Sequence, residues 1–151
     1  MRRSPIAVLA CAAAVLAGCS TPPPPEVTFY SDGAAVNARP MIYCEIAKQA
    51  CAKDEGAGVR LRTRDGKTVQ ISVPNELAAS AWGVTFSYLT SAGEQVDGSS
   101  RIFTAESRQH AYTLQLPSAT DRLLYATVQK LVFVEAEKPV AIAFWQLETE
   151  R

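Results

Sequence analysis

The chain has a single histidine, His110, and that scarcity removes much chemistry at the outset. A zinc site needs about four ligands, mostly cysteine and histidine, and a serine hydrolase needs a base beside its nucleophile. No serine stands in a Gly-x-Ser-x-Gly elbow. His110 opens the stretch His110-Ala111-Tyr112 and reads as an ordinary histidine at a strand edge. The eight glycines fall singly at turns, so no glycine-rich loop is available to cradle a phosphate. Basic and acidic side chains balance at 15 each, without the basic footprint of a nucleic-acid binder. Carboxylate pairs at Asp54-Glu55 and Glu135/Glu137 sit where turns are expected, whereas glycosidase chemistry needs two carboxylates across a cleft. The sequence contains no internal repeat and no low-complexity tract beyond four prolines. These absences lead us to expect no catalytic constellation, no metal, no cofactor and no nucleic-acid partner.

The longest apolar run, Ile6 to Ala17, is also short. It has about twelve residues against the roughly twenty of a membrane-crossing helix. Arg2 and Arg3 precede it and small residues end it, which is the plan of an export signal. Leu16-Ala17-Gly18-Cys19 resembles the lipobox of bacterial lipoproteins. The resemblance implies that the signal at residues 1–18 is cleaved, that Cys19 takes a diacylglyceryl group, and that its new amine can be acylated. Val8-Leu9-Ala10-Cys11 fits less well, because Leu9 is bulky where a small residue is wanted and only five residues separate Cys11 from Pro5. Two or three acyl chains hold a protein firmly at a membrane where one does so marginally. The expected location is therefore the extracytoplasmic face of the cell membrane. Pro22 to Pro25 then read as part of a stiff tether spanning residues 19–25 and holding the domain away from the bilayer.

Residues 26–148 remain for one domain. Without Arg2 and Arg3 they belong to a chain carrying two more acidic than basic side chains. Cys44 and Cys51 are separated by six residues, which excludes a two-residue redox spacing. In an exported protein they are expected to form a structural disulfide.

From Glu26 onward, β-favouring residues recur in short alternating runs broken by turn residues, as in a sandwich or barrel. Val59, Leu61 and Thr63 alternate with arginines; Val69, Ile71 and Val73 alternate with Thr68, Gln70 and Ser72. Trp82, Val84, Phe86 and Tyr88 line one side of another run, and Tyr112, Leu114 and Leu116 a further one. A helical turn is expected at Asn75 to Ala79. The turn Arg64-Asp65-Gly66 predicts a hairpin pairing Leu61 with Val69 and Val59 with Ile71, with Gly66 in the left-handed region. Ser91-Ala92-Gly93 predicts a second, pairing Tyr88 with Val96. Leu123 to Val134 and Val140 to Leu147 predict a long closing hairpin, with a bulge near Gln129 to reconcile its blurred alternation.

The fold class expected is all-β: an immunoglobulin- or fibronectin-like antiparallel sandwich of about seven or eight strands. Leu116-Pro117 followed by Tyr125-Ala126-Thr127-Val128 resembles the turn into the penultimate strand of such domains, which makes Tyr125 a candidate tyrosine-corner residue. Trp82 and Trp145 are expected in the core rather than as exposed stacking platforms. Arg60 and Arg62, two guanidiniums about 6.6 Å apart along one strand face, are the candidate contact for an anion or a partner.

The chain also resembles a family of short actinobacterial lipoproteins described as a domain of unknown function. The resemblance rests on Glu26-Val27-Thr28-Phe29-Tyr30, Tyr43-Cys44 with Cys51, Ile71-Ser72-Val73-Pro74, Ala81-Trp82, Gly93-Glu94, and Tyr112-Thr113-Leu114 to Pro117. It implies an envelope location and a β-sandwich, and supplies no catalytic residue. The expected function is a non-catalytic module, tied to the membrane through lipid on Cys19, that binds an envelope protein or wall component. The alternative is a carrier holding a lipid or glycolipid inside the sandwich, which calls for a large apolar cavity.

Overall fold

The alternation of apolar residues from Val27 onward does become two sheets packed face to face. The computed structural model describes residues 22–135 and 138–151. The expected signal at 1–18, Cys11, and the expected lipid acceptor Cys19 lie outside the described residues.

Among the described residues eleven strands form: β1 (Val27–Ser31), β2 (Ala34–Ala38), β3 (Ile42–Glu45), β4 (Ala50–Lys53), β5 (Val59–Arg62), β6 (Val69–Ser72), β7 (Ala81–Leu89), β8 (Gln95–Ser99), β9 (Ala111–Leu114), β10 (Arg122–Val134) and β11 (Lys138–Glu150). One helical turn, α1 (Asn75–Ala78), follows Pro74 as expected. One sheet runs β2-β1-β6-β9; the other runs β4-β3-β11-β10-β7-β8, with β5 added in parallel to the far end of β11. The fold is thus an all-β sandwich. It has more strands than the seven or eight expected, because β2 (Ala-Ala-Val-Asn-Ala) and β4 (Ala-Cys-Ala-Lys) carry almost no apolar alternation. Backbone pairing at the sheet margins creates such strands, and burial does not mark them.

The core between the sheets is filled by Trp82, Trp145, Phe29, Ile71, Leu77, Leu114 and Leu147, all fully buried. Each side chain of this size stabilises the fold by about 1.5–3 kcal/mol on burial. Both indole N–H groups find acceptors: Trp82 donates to Gln109 O at 3.1 Å and Trp145 to Pro25 O at 2.8 Å. The expectation that both tryptophans pack inside holds.

The hairpin of β7 and β8 forms with Tyr88 opposite Val96, and Gly93 takes a φ of +80°. The β5–β6 hairpin does not form. Val59 to Arg62 instead lie parallel to Leu147 to Glu150, while β6 pairs with β1 and β9 in the other sheet. Leu61 is still buried, so the alternation was read correctly and the partner was not. The segment after Arg62 carries the chain from one sheet to the other. Gly66, at φ +70°, donates its N–H to Asp121 O at 2.9 Å there.

The closing hairpin, β10 with β11, pairs from Tyr125↔Glu148 to Val134↔Lys138, with a register shift between Lys130 and Leu131, one residue beyond the position expected. Strand β7 accompanies β10 only as far as Leu131, and β3 meets β11 only at Ala143 and Phe144. Beyond those points the two strands pair, among the described residues, only with each other, so the hairpin leaves the sheet as a two-stranded ribbon. Tyr125 is not a corner residue. An irregularity between Leu123 and Tyr125 turns its side chain outward, where it is 36% exposed.

Candidate functional site

The four prolines do not stand clear of the domain. The Trp145 indole holds the carbonyl of Pro25, and Pro22 to Pro25 form one wall of an open groove of about 770 Å³. The facing wall is the β3–β4 hairpin, which contributes Tyr43, Cys51 and Ala52. Locally, this hairpin forms because Gln49 adopts the left-handed conformation (φ +50°) after a 3-10 turn at Ile46–Lys48. Cys44 and Cys51 sit directly opposite one another and are disulfide-bonded, as expected from their spacing and inferred export. The bond matters to the groove, since every residue of β4 is exposed and β3 is its one strand neighbour among the described residues.

The rim of the groove is charged. Arg39 pairs with Asp54 at 3.1 Å and Lys48 with Glu45 at 2.7 Å. Lys53 also lines it, and has no ion-pair partner among the described residues. Tyr43 is held from behind by the Trp145 ring edge (centroids 6.3 Å apart) and by the Lys130 ammonium 5.6 Å above its ring. An aromatic floor, backbone-exposed β4 and a mixed-charge rim suit an extended polar ligand or a peptide strand. A smaller depression of about 290 Å³, lined by Met41, Ile42, Thr127 and Phe144 among others, lies on the outer face of the larger sheet.

Arg60 and Arg62 are both exposed, as the alternation required. The parallel pairing sets them opposite Glu148 and Glu150. Arg60 Nε lies 3.2 Å from Glu148 Oε2, and its Nη1 lies 3.6 Å from Glu150 Oε1. The Arg60 guanidinium is therefore engaged by two carboxylates of its own chain. This cluster is at the end of the sandwich away from the groove, so the fold does not bring the arginines and the groove together.

The most strongly perturbed carboxyl is Asp32. It accepts hydrogen bonds from Arg64 Nη2 at 2.7 Å, Arg64 Nε at 3.0 Å and the Arg64 backbone N–H at 3.0 Å. These bonds lower its pKa to about 2. The arrangement pins the β1–β2 turn to the crossover between the sheets, which is a structural role. His110 is exposed, and its carbonyl accepts the Val73 N–H at 2.9 Å at the margin of β9. Asp121, 4% exposed, accepts the Ser118 N–H at 3.0 Å and closes a turn.

The groove was not legible in the sequence. Its walls come from three separated segments of low apolar periodicity, around Pro22–Pro25, Arg39–Tyr43 and Ala50–Asp54. The one signal that pointed to it was the cysteine pair. No curated protein and no solved structure matches the chain. Residues 20–150, nearly the whole described chain, match the family DUF2771, and the protein belongs to this family of proteins of unknown function.

Proposed function

We propose that the protein is an exported, non-catalytic binding module, anchored by lipid on Cys19 to the outer face of the cell membrane, that holds an envelope protein or wall component in the groove beside its tether. The observation that carries this reading is the groove itself: the residues that follow Cys19 by only a few positions form one of its walls. Anchor and binding site are thereby mechanically joined. The perturbed carboxylates, Asp32 and Glu106, and the buried Asp121 are each engaged by local hydrogen bonds, Asp32 with Arg64, Glu106 with Thr104 and Asp121 with Ser118, which fits a module without chemistry of its own. The space between the sheets, where a carrier would keep its cargo, is occupied by Trp82, Trp145 and Phe29. The alternative contact at Arg60 and Arg62 is less favoured, because a ligand anion there competes with Glu148 and Glu150.

The test is photo-cross-linking in intact cells from a reactive residue placed at Ala52, with Tyr30, outside the groove, as reference. A single envelope component captured from position 52 and lost in Lys53→Glu supports the groove. Capture that is equal from both positions sinks it, and capture abolished by Arg60→Glu/Arg62→Glu alone moves the site to the arginine face. Separately, Cys19→Ser should abolish incorporation of labelled fatty acid while Cys11→Ser should not.

A further inference from the structure

We propose that the β10–β11 ribbon is a second membrane contact, resting its apolar side chains at the boundary between headgroups and acyl chains of the bilayer that carries the lipid anchor. This inference rests on the lipoprotein reading above and goes beyond it.

Three observations carry the proposal. The first is composition: Phe133, Val134 and Val140 at the end of the ribbon are 49%, 52% and 45% exposed. Soluble strands usually keep one face polar. Here directly opposed residues share a face, so Val132 with Val140 and Phe133 with Pro139 make both faces apolar.

The second is position. Strand β1 starts beside Ser72, α1 follows Ser72 closely, and β7 then starts at Ala81 opposite Leu131. The tether therefore enters the domain at the end from which the ribbon leaves. Strand β3 runs from Ile42, opposite Phe144, towards the same end and delivers Ile46, which is 59% exposed. Ile102, next to Phe103 and its partner Trp82 near the start of β7, lies there too. Of the large apolar side chains exposed among the described residues, only Tyr30 and Tyr125 lie elsewhere, and both carry a hydroxyl.

The third is reach. Pro25 is fixed at Trp145. Six residues back to Cys19 span at most about 19–22 Å, whether polyproline or fully extended. The ribbon end at Lys138 stands seven residues from Trp145 along β11, about 24 Å at the rise of an antiparallel strand. A tether aimed straight at the bilayer thus leaves the lipidated residue no farther out than the ribbon end. The domain cannot be lifted until the ribbon clears the surface. Glu135 and Lys138 at the ribbon end keep their charges among the headgroups, which requires the ribbon to tilt onto its apolar side chains and makes the contact shallow, at the depth of interfacial segments.

The experiment uses the mature, lipid-bearing chain in vesicles of phosphatidylcholine with phosphatidylglycerol. Val134→Cys supplies the one reactive thiol, since Cys44 and Cys51 are bonded and Cys19 bears the lipid. An environment-sensitive dye goes on that thiol, and Ala92→Cys, in the turn at the opposite end, is the reference. Both substitutions are at exposed positions outside the core, and Val140→Cys repeats the ribbon measurement. Expected is a blue shift at 134 and 140, quenching by brominated lipid, and about threefold less quenching by iodide than at 92. Equal iodide access at all three positions, in chains whose mass shows the acyl groups, overturns the inference and leaves the lipoprotein reading standing. A mature chain from cells without acyl groups ends both. A photo-reactive residue at Phe133 that captures one protein and no lipid in intact cells also overturns it, by making the ribbon a protein-docking element.

Discussion

Gly66 and Gly93 have the same backbone conformation in different surroundings, and the pair separates strain from collision. Both lie at positive φ, +70° and +80°. A side chain in that region costs about 1–2 kcal/mol. A Cβ at Gly93 meets nothing within 4 Å, so Gly93→Ala should cost only that strain. A Cβ at Gly66 falls on the backbone of Ala119, 2.7 Å from its Cα and carbonyl carbon. Ala119 cannot retreat cheaply. Its turn is fastened by Asp121 N–H to Ser118 O at 3.1 Å and by Ser118 N–H to the Asp121 carboxylate at 3.0 Å. Relief requires the Gly66–Asp121 hydrogen bond at 2.9 Å to open, a further loss of about 1 kcal/mol with more from the displaced turn. Gly66→Ala should therefore cost about 3 kcal/mol or more, and exceed Gly93→Ala by about 2 kcal/mol. For a domain of this length that difference is a gap of roughly 8 °C in Tm. Urea unfolding followed by fluorescence of the two buried tryptophans reads both variants in one assay. Equal losses for the two alanines would refute the close approach of the crossover to the turn at Ser118–Asp121.

Three further outcomes are expected. Thr63 has a buried hydroxyl with no hydrogen-bond partner among the described residues, so Thr63→Val should raise stability by about 1 kcal/mol in the same urea titration; a loss of that size would mean the hydroxyl is satisfied. Replacing both Cys44 and Cys51 by alanine should lower stability by about 2.5 kcal/mol, the chain-entropy value for so short a loop, and hydrogen exchange should speed up first in β4. Asp32 has a folded-state pKa depressed to about 2 from 3.8, so its contribution is present above about pH 4 and is lost as pH falls through 2; Asp32→Asn should flatten that acid limb of the stability profile and leave its neutral region without a slope change.

Alternation at period two carried most of what the sequence disclosed. It identified the buried sides of β5, β6, β7 and β9, the two core tryptophans, and the hairpin that sets Tyr88 against Val96. It failed where partner choice depends on segments far apart in the chain. Leu61 is equally content beneath β6 or beside Thr149, and nothing local distinguishes the two. The same limit hid the sheet-margin strands β2 and β4, which are held by backbone pairing with little burial. It also hid the groove, whose walls are assembled from three distant segments. The bulge in the long hairpin was legible because Lys130 breaks the apolar rhythm, and its position was off by one residue because a bulge can absorb the change of face on either strand.

Strand β11 joins β3, β10 and β5. All three precede it in the chain, so the larger sheet lacks its spine until residues 138–150 are available. A chain that stops short of β11 leaves β3, β5 and β10 without the strand that joins them. The same arrangement makes β11 a poor place for insertions: one that pulls Leu147 to Glu150 out of register with Val59 to Arg62 would unseat β5 and open the core at Leu61.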